Sequence, residues 1–176
     1  MNTTEQPNHL EYPELTMFQM IDRIAGLHPH APAYEFFGKK TTYKAFAEKI
    51  NRAALAFVTA GIQKNDAVTI CMPNIPQTLD CFYALDRIGA VANMVHPLSA
   101  QNEISFYLNL SKSKMILTVD LFYEKVEAAL QEVDHPVTVL VARMQDEFPG
   151  FLAGAYTLKK GRSYLRYPNT DHAIHW

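Results

Sequence analysis

Several things are scarce in this chain of 176 residues, and each scarcity removes a class of explanation. There are two cysteines, Cys71 and Cys81. Each lies in an otherwise apolar run, so both read as buried thiols filling space rather than as a disulfide or a nucleophile. There are only seven glycines. They never assemble into G-x-G-x-x-G or G-x-x-x-x-G-K-[ST], so a loop of backbone N–H groups cradling phosphate is not expected within these residues. Apolar residues make up 48% of the chain but fall in short runs, well below the roughly 20 in succession that a membrane helix requires. Lysine and arginine number 16 against 18 aspartates and glutamates, a formal net charge of −2. With no basic run, there is no electrostatic footprint for nucleic acid or anionic lipid. The polar start MNTTEQPNHLEYPELT lacks a basic segment leading into an apolar one, so a cytoplasmic location is expected.

What is present is a regular alternation. Thr16 and Gln19 form a capping box ahead of Phe18, Ile21, Ile24 and Ala25, which share one helical face. Tyr34–Phe37 reads as the first arm of a hairpin turning at Gly38, and Thr41 or Thr42 as an N-cap. Phe46, Ile50, Ala53, Ala54 and Phe57 then recur at helical spacing, with Lys44, Glu48, Lys49, Asn51 and Arg52 off that face and Gly61 at the exit. Beyond it, strand-like runs at 67–72, 91–95, 115–119 and 137–141 alternate with helical runs at 76–88, 101–111 and 121–133. Strands without polar alternation, separated by helices, predict α/β architecture: a mainly parallel sheet with helices on both faces. Pro76 suits the first turn of its helix and Gly89 its exit, while Ser99 and Asp120 are expected to cap the next two. Three segments are expected: 1–33 as arm and helix, 34–142 as the α/β subdomain, and 143–176 as an irregular tail holding at most a short helix near Phe151–Ala155.

A doubly wound sheet presents its ligand site beyond the carboxyl ends of its strands. Those positions are Pro73-Asn74, His96-Pro97, Asp120 and Arg143. His96 could act as a base but has no identifiable carboxylate or nucleophile partner, and local packing is its plainer role. Asp120 could meet a ribose or a metal, yet its place ahead of a helix favours a capping carboxylate, and Asn74 reads the same way. The stripes Phe82, Leu85, Ile88 and Ile104, Tyr107, Leu108 could line an acyl pocket, although such spacing usually attaches a helix to a sheet. His28 and His30, split by Pro29, lack a third ligand. Asp171, His172 and His175 fall short of the four a structural zinc site uses, and the two histidines would face opposite sides of an extended segment.

From Thr42 to Lys114 the chain resembles the amino-terminal part of the adenylate-forming acyl-CoA synthetases, the superfamily that includes luciferases and peptide-synthetase adenylation domains. The residues that carry this are Thr42-Tyr43, Gly61-Ile62, Lys64, Asp66, Met72-Pro73-Asn74, Gly89-Ala90-Val91, Pro97, Glu103-Ile104 and Ser113-Lys114, in that order. The resemblance implies an AMP-forming carboxylate–CoA ligase acting on a fatty or other organic acid. In such an enzyme the acid attacks the α-phosphate of ATP, and the thiol of coenzyme A then displaces AMP, with Mg²⁺ needed on the phosphates. It also implies that Asp171-His172-Ala173 leads toward a phosphate-holding loop that would follow Trp176. On this reading no catalytic, cofactor-binding or metal residue can be transferred to the chain. ATP, Mg²⁺ and coenzyme A belong to a longer parent, and the fragment alone is expected to lack turnover. His96, Asn93 and Trp176 depart from the common pattern, which bears on substrate identity more than on membership. Two other readings remain open: a complete, non-catalytic α/β interaction module whose exposed surface is covered by a partner or a second copy, and a free-standing nucleotide-binding protein, which the missing glycines disfavour.

Overall fold

The computed structural model describes residues 12–160 and 173–175. In chain order the elements are α1 (Met17–Leu27), the strands β1 (Pro32–Phe36) and β2 (Lys39–Thr42), α2 (Tyr43–Thr59), β3 (Ala67–Cys71), α3 (Pro76–Ile88) and β4 (Val91–Met94). They continue with α4 (Gln101–Ser111), β5 (Met115–Val119), α5 (Tyr123–Leu130), β6 (Thr138–Ala142), α6 (Gly150–Lys160) and β7 (Ala173–His175). Short 3₁₀ turns occupy Asp120–Phe122 and Met144–Glu147.

β3 to β7 form one five-stranded sheet in the order β4-β3-β5-β6-β7, and every neighbouring pair is parallel. The α/β expectation of a parallel sheet with helices on both faces is thus borne out. β3 sits between its two sequence successors, with Val68 opposite Ala92 on one side and Met115 on the other. The direction of strand addition therefore reverses at β3, which makes it the topological switch of the sheet.

Alternate residues of each strand feed two cores. On one side Val68, Ile70, Met115, Leu117 and Val119 pack with Phe46, Ile50 and Phe57 of α2 and with Cys81 and Leu85 of α3. On the other, Cys71, Ile116, Val139 and Val141 pack with Ile104 and Leu108 of α4 and Val126 and Ala129 of α5. Both cysteines are free and buried, one in each core. The thiols behave as the sequence suggests, and burial pushes Cys71 up to about 11 and Cys81 well above the ordinary thiol range.

The local signals mostly hold. Thr16 and Gln19 make the reciprocal capping box of α1, and Thr42 accepts the amide N–H of Ala45 at the start of α2. Phe37 and Gly38 both have positive φ, 48° and 82°, the two-residue turn that matches the twist of paired strands. Gly89 ends α3 at φ 73°, where a Cβ would meet the Lys64 side chain at 3.1 Å.

Four expectations need correction. Ser99 does not cap α4: its amide donates to the His96 carbonyl in the preceding turn, and the helix opens at Ala100, whose N–H donates to the Glu103 carboxylate at 2.9 Å. Asp120 does not cap α5 either, because a 3₁₀ turn intervenes and the Asp120 carboxylate accepts the adjacent Leu121 N–H. The helix near Phe151–Ala155 extends over Gly150–Lys160. Finally, Tyr107 is 40% exposed, so the inward stripe of α4 is Ile104, Ser105 and Leu108. Among the described residues no helix is long and apolar enough to cross a membrane.

Ile70 lies on β3, an interior strand, with no exposed surface, so Ile70→Ala should cost about 2–5 kcal/mol of unfolding free energy. Leu55→Ala, at a position 67% exposed, should stay within about 0.5 kcal/mol of the parent chain. Urea unfolding followed by far-ultraviolet circular dichroism measures both.

Candidate functional site at the carboxyl edge

At the carboxyl ends of β3 and β4 the chain leaves the sheet through two proline-containing loops. They enclose a cleft of about 450 Å³ lined by Met72, Asn74, Met94, His96, Leu98 and Phe122 among others. Asn74 and His96 are therefore brought together here, whereas Asp120 and Arg143 are not part of the lining.

The loops are held by backbone-directed contacts. Thr78 Oγ1 donates to the Pro73 carbonyl at 2.6 Å, and Lys125 Nζ donates to the carbonyls of Pro97 and Ser99 at 3.0 and 3.2 Å. His96 Nδ1 accepts the Leu98 amide N–H at 3.2 Å. With Nδ1 as the acceptor in that bond, the imidazole shapes the turn. Arg143 Nε donates to Asp146, while its carbonyl accepts from the buried Gln77 amide. His28 and His30 are exposed on the loop after α1. Among the described residues no group of three or more His, Cys, Asp or Glu could hold a metal ion. Asp171, His172 and Trp176 lie outside the described residues.

The residues that carry the family resemblance act mainly at the amino ends of the strands. The Asp66 carboxylate accepts the Gln63 N–H and pairs with Lys114 Nζ, both at 2.8 Å. These two contacts hold its pKa below the ordinary carboxylate value, Lys114 more than the backbone. The Val91 N–H donates to Asp66 O and the Asn65 N–H to Gly89 O, so one turn sets the entry of both β3 and β4. Ser113 joins Thr69, Ser111 and Asn93 in a side-chain network with spacings of 2.7 to 3.2 Å. Asn93, which departs from the common pattern, is thus structural in this chain.

Set beside known proteins, residues 21–160 match the family described as AMP-binding enzyme. The chain belongs to that family. It is 28% identical over 145 residues to a long-chain-fatty-acid–CoA ligase of Bacillus subtilis (strain 168), an alignment covering 81% of this chain and 25% of that protein. It is 30% identical over 121 residues to a crotonobetaine/carnitine–CoA ligase of Citrobacter koseri, covering 66% of this chain and 23% of the relative. A mutant form of coronafacic acid ligase from Pectobacterium brasiliense superposes over 92% of this chain and 28% of its own with a TM-score of 0.74 at 17% identity, a likeness of fold. A fatty acyl CoA synthetase of Mycobacterium tuberculosis gives a TM-score of 0.65 at 27% identity, covering 72% and 26% of the two chains. The chain spans about a quarter of the length of the curated relatives it matches.

For this AMP-binding family member the carboxyl edge is a poor fit to a nucleotide triphosphate or its Mg²⁺. Lys125, outside the lining, is committed to carbonyl oxygens, the cleft lining contains no carboxylate, lysine or arginine, and the loops are closed by prolines rather than opened by glycines. As it stands, the arrangement offers an apolar groove with an amide and an imidazole at its rim.

One charged cluster escaped the sequence reading. Asp80 lies on the buried face of α3 together with Gln77, Cys81, Ala84 and Leu85. Lys49, assigned to the wet side of α2, is turned inward with its side chain 20% exposed. Its Nζ lies 2.8 Å from Glu147 Oε1 and 3.7 Å from Asp80 Oδ2. Burial pushes the Asp80 carboxyl up to about 7, against the pull of Lys49 and with added repulsion from Glu147. The only available sign was a helical interval: Gln77, Asp80, Ala84 is an inward i, i+3, i+7 series.

Because the folded chain holds the Asp80 proton more tightly than the unfolded chain does, stability from this site is fully present at about pH 4 and below, the unfolded value. It is lost as the pH rises through about 7. The difference between urea midpoints at pH 5 and pH 8 should therefore shrink in Asp80→Asn relative to the parent chain. An undiminished difference would remove Asp80 as its source.

Proposed function

We propose that this chain forms the amino-terminal portion of an ATP-dependent, AMP-forming carboxylate–CoA ligase, that the acid is a fatty or other organic acid, and that the chain alone has no turnover. The observation that carries the reading is the alignment with CoA ligases across most of this chain but only a quarter of theirs. The carboxyl edge supports it: the sheet and its entry turns are built, while the cleft lining brings no lysine or arginine to a reacting triphosphate. ATP, Mg²⁺ and coenzyme A would be handled by other parts of the parent enzyme, with this chain contributing a rigid sheet for them to pack on. Its balanced charge suits a cytoplasmic enzyme of small-molecule metabolism.

The test is to incubate the purified chain with ATP, Mg²⁺ and coenzyme A together with octanoate, benzoate or crotonobetaine, following pyrophosphate and AMP release. Both should remain at buffer background for every acid. Release of AMP and acyl-CoA above background, abolished by omitting the acid, would overturn the assignment of the chemistry to other residues.

A further inference from the structure

Between α2 and the strands β5 and β6 the sheet face is incompletely covered, leaving a cleft of about 310 Å³. Its walls are apolar and fine-grained: Ala53, Ala56, Phe57 and Ala60 from α2, with Met115 and Leu140 from the strands. From Lys49 to Ala60 the helix runs roughly 16 Å along it. Lys49, Asp80 and Glu147 close one end, and Arg52 lies at the rim. The cleft thus pairs an apolar run with a polar end.

That end has more acceptor than donor capacity. The Asp80 side chain is 2% exposed, and its Oδ1 is buried without a hydrogen-bond partner. Its other oxygen shares Lys49 with Glu147. The remaining groups facing the cluster are the Tyr34 hydroxyl from β1, 3.4 Å from Lys49 Nζ, Lys39 from β2, whose Nζ is 3.5 Å from Glu147 Oε2, and Arg52 of α2, which acts on Asp80 through its charge. Lys39 and Arg52 balance the charge of the cluster from its rim, but Asp80 Oδ1 still has no donor, which is costly for a buried carboxylate. An ammonium would supply a charge-assisted donor, an alcohol a weaker neutral one, and a carboxylate ligand none.

We propose that this cleft is a binding site for a small primary amine, its ammonium received by Asp80 and Glu147 and its short aliphatic chain lying between α2 and the strands. The site is independent of the ligase reading and involves none of the carboxyl-edge residues. Since the ammonium favours the ionised form of Asp80, binding should tighten with rising pH over a range in which an alkylamine, like a lysine, stays protonated.

Isothermal titration of the chain with n-hexylamine, hexanoate and hexanol provides the test. Hexylamine should bind saturably, more tightly at pH 8 than at pH 6, and in preference to both other probes. Asp80→Asn should weaken it by about tenfold or more, the scale of a lost charge-assisted hydrogen bond. Ala56→Trp should do the same by filling the cleft from its exposed rim without touching the charged end. The second variant and the pH comparison keep the proposal testable if Asp80→Asn fails to fold. No saturable binding at millimolar hexylamine, equal binding of hexanol or hexanoate, or wild-type affinity in Ala56→Trp would each overturn it. None of these outcomes depends on ligase turnover.

Discussion

A parallel sheet leaves neither face for water, and in this chain that constraint governs nearly everything else. Its strands cannot be joined by tight turns, so each must be followed by a crossover, and the crossovers must cover both faces. β3 shows the consequence most plainly. Val68, Thr69, Ile70 and Cys71 are all fully buried, because alternate residues meet helices on opposite sides. Thr69, the polar member, is accommodated only because the Ser113 hydroxyl and Asn93 amide reach it. A hydroxyl at this depth without those partners would cost the strand part of what burial of its neighbours contributes.

The same constraint explains why polar side chains gather at the amino ends of the strands. Where a helix hands the chain back to the sheet, backbone groups emerge that no ladder satisfies. Asp66 takes one N–H and holds Lys114 across the entry to the next strand, while Gly89 supplies the left-handed turn that lets Ala90 and Val91 start β4. Asp66, Gly89 and Lys114 are all among the residues that carry the family resemblance, and each stands at a strand entry. A resemblance built on them therefore reports on how the scaffold is wound, and it identifies the family without locating chemistry.

Legibility in the sequence followed the strength of periodic signals. Strands β3, β5 and β6 and helices α2 and α3 were readable because apolar residues recur without interruption and because Pro76, Gly61 and Gly89 punctuate them. α6 was legible only as a short helix near Phe151–Ala155, since its glycines and aromatics blur any period. The caps at Ser99 and Asp120 were misplaced because a capping residue is recognised only relative to the first helical turn, and an intervening turn moved that start. At the carboxyl edge, Asn74 and His96 were correctly placed after their strands, but their meeting in one cleft depends on how two loops fold together. Lys49 and Asp80 were missed for a different reason: charged residues on amphipathic helices usually face water, and only the packing of α2 on α3 turns these two toward each other.

That inward turn marks where the covering of the sheet is least complete. α2 buries Ile50, Ala53 and Phe57 against the strands, yet Ala56 and Ala60 beyond them are too small to reach across to Leu140, so a strip over β6 stays open. Larger residues there would close the strip and bury the ion cluster further; small ones keep Asp80, Lys49 and Glu147 at the end of an accessible groove. Desolvating a carboxylate shared with a single lysine is unfavourable unless further donors arrive. The carboxyl-edge cleft has the opposite character: Lys125 and His96 Nδ1 are spent on loop carbonyls and an amide, and the lining holds no lysine, arginine or carboxylate. The two clefts of one sheet are thus chemically distinct: one is apolar with an amide and an imidazole at its rim, and the other retains a buried acceptor without a donor.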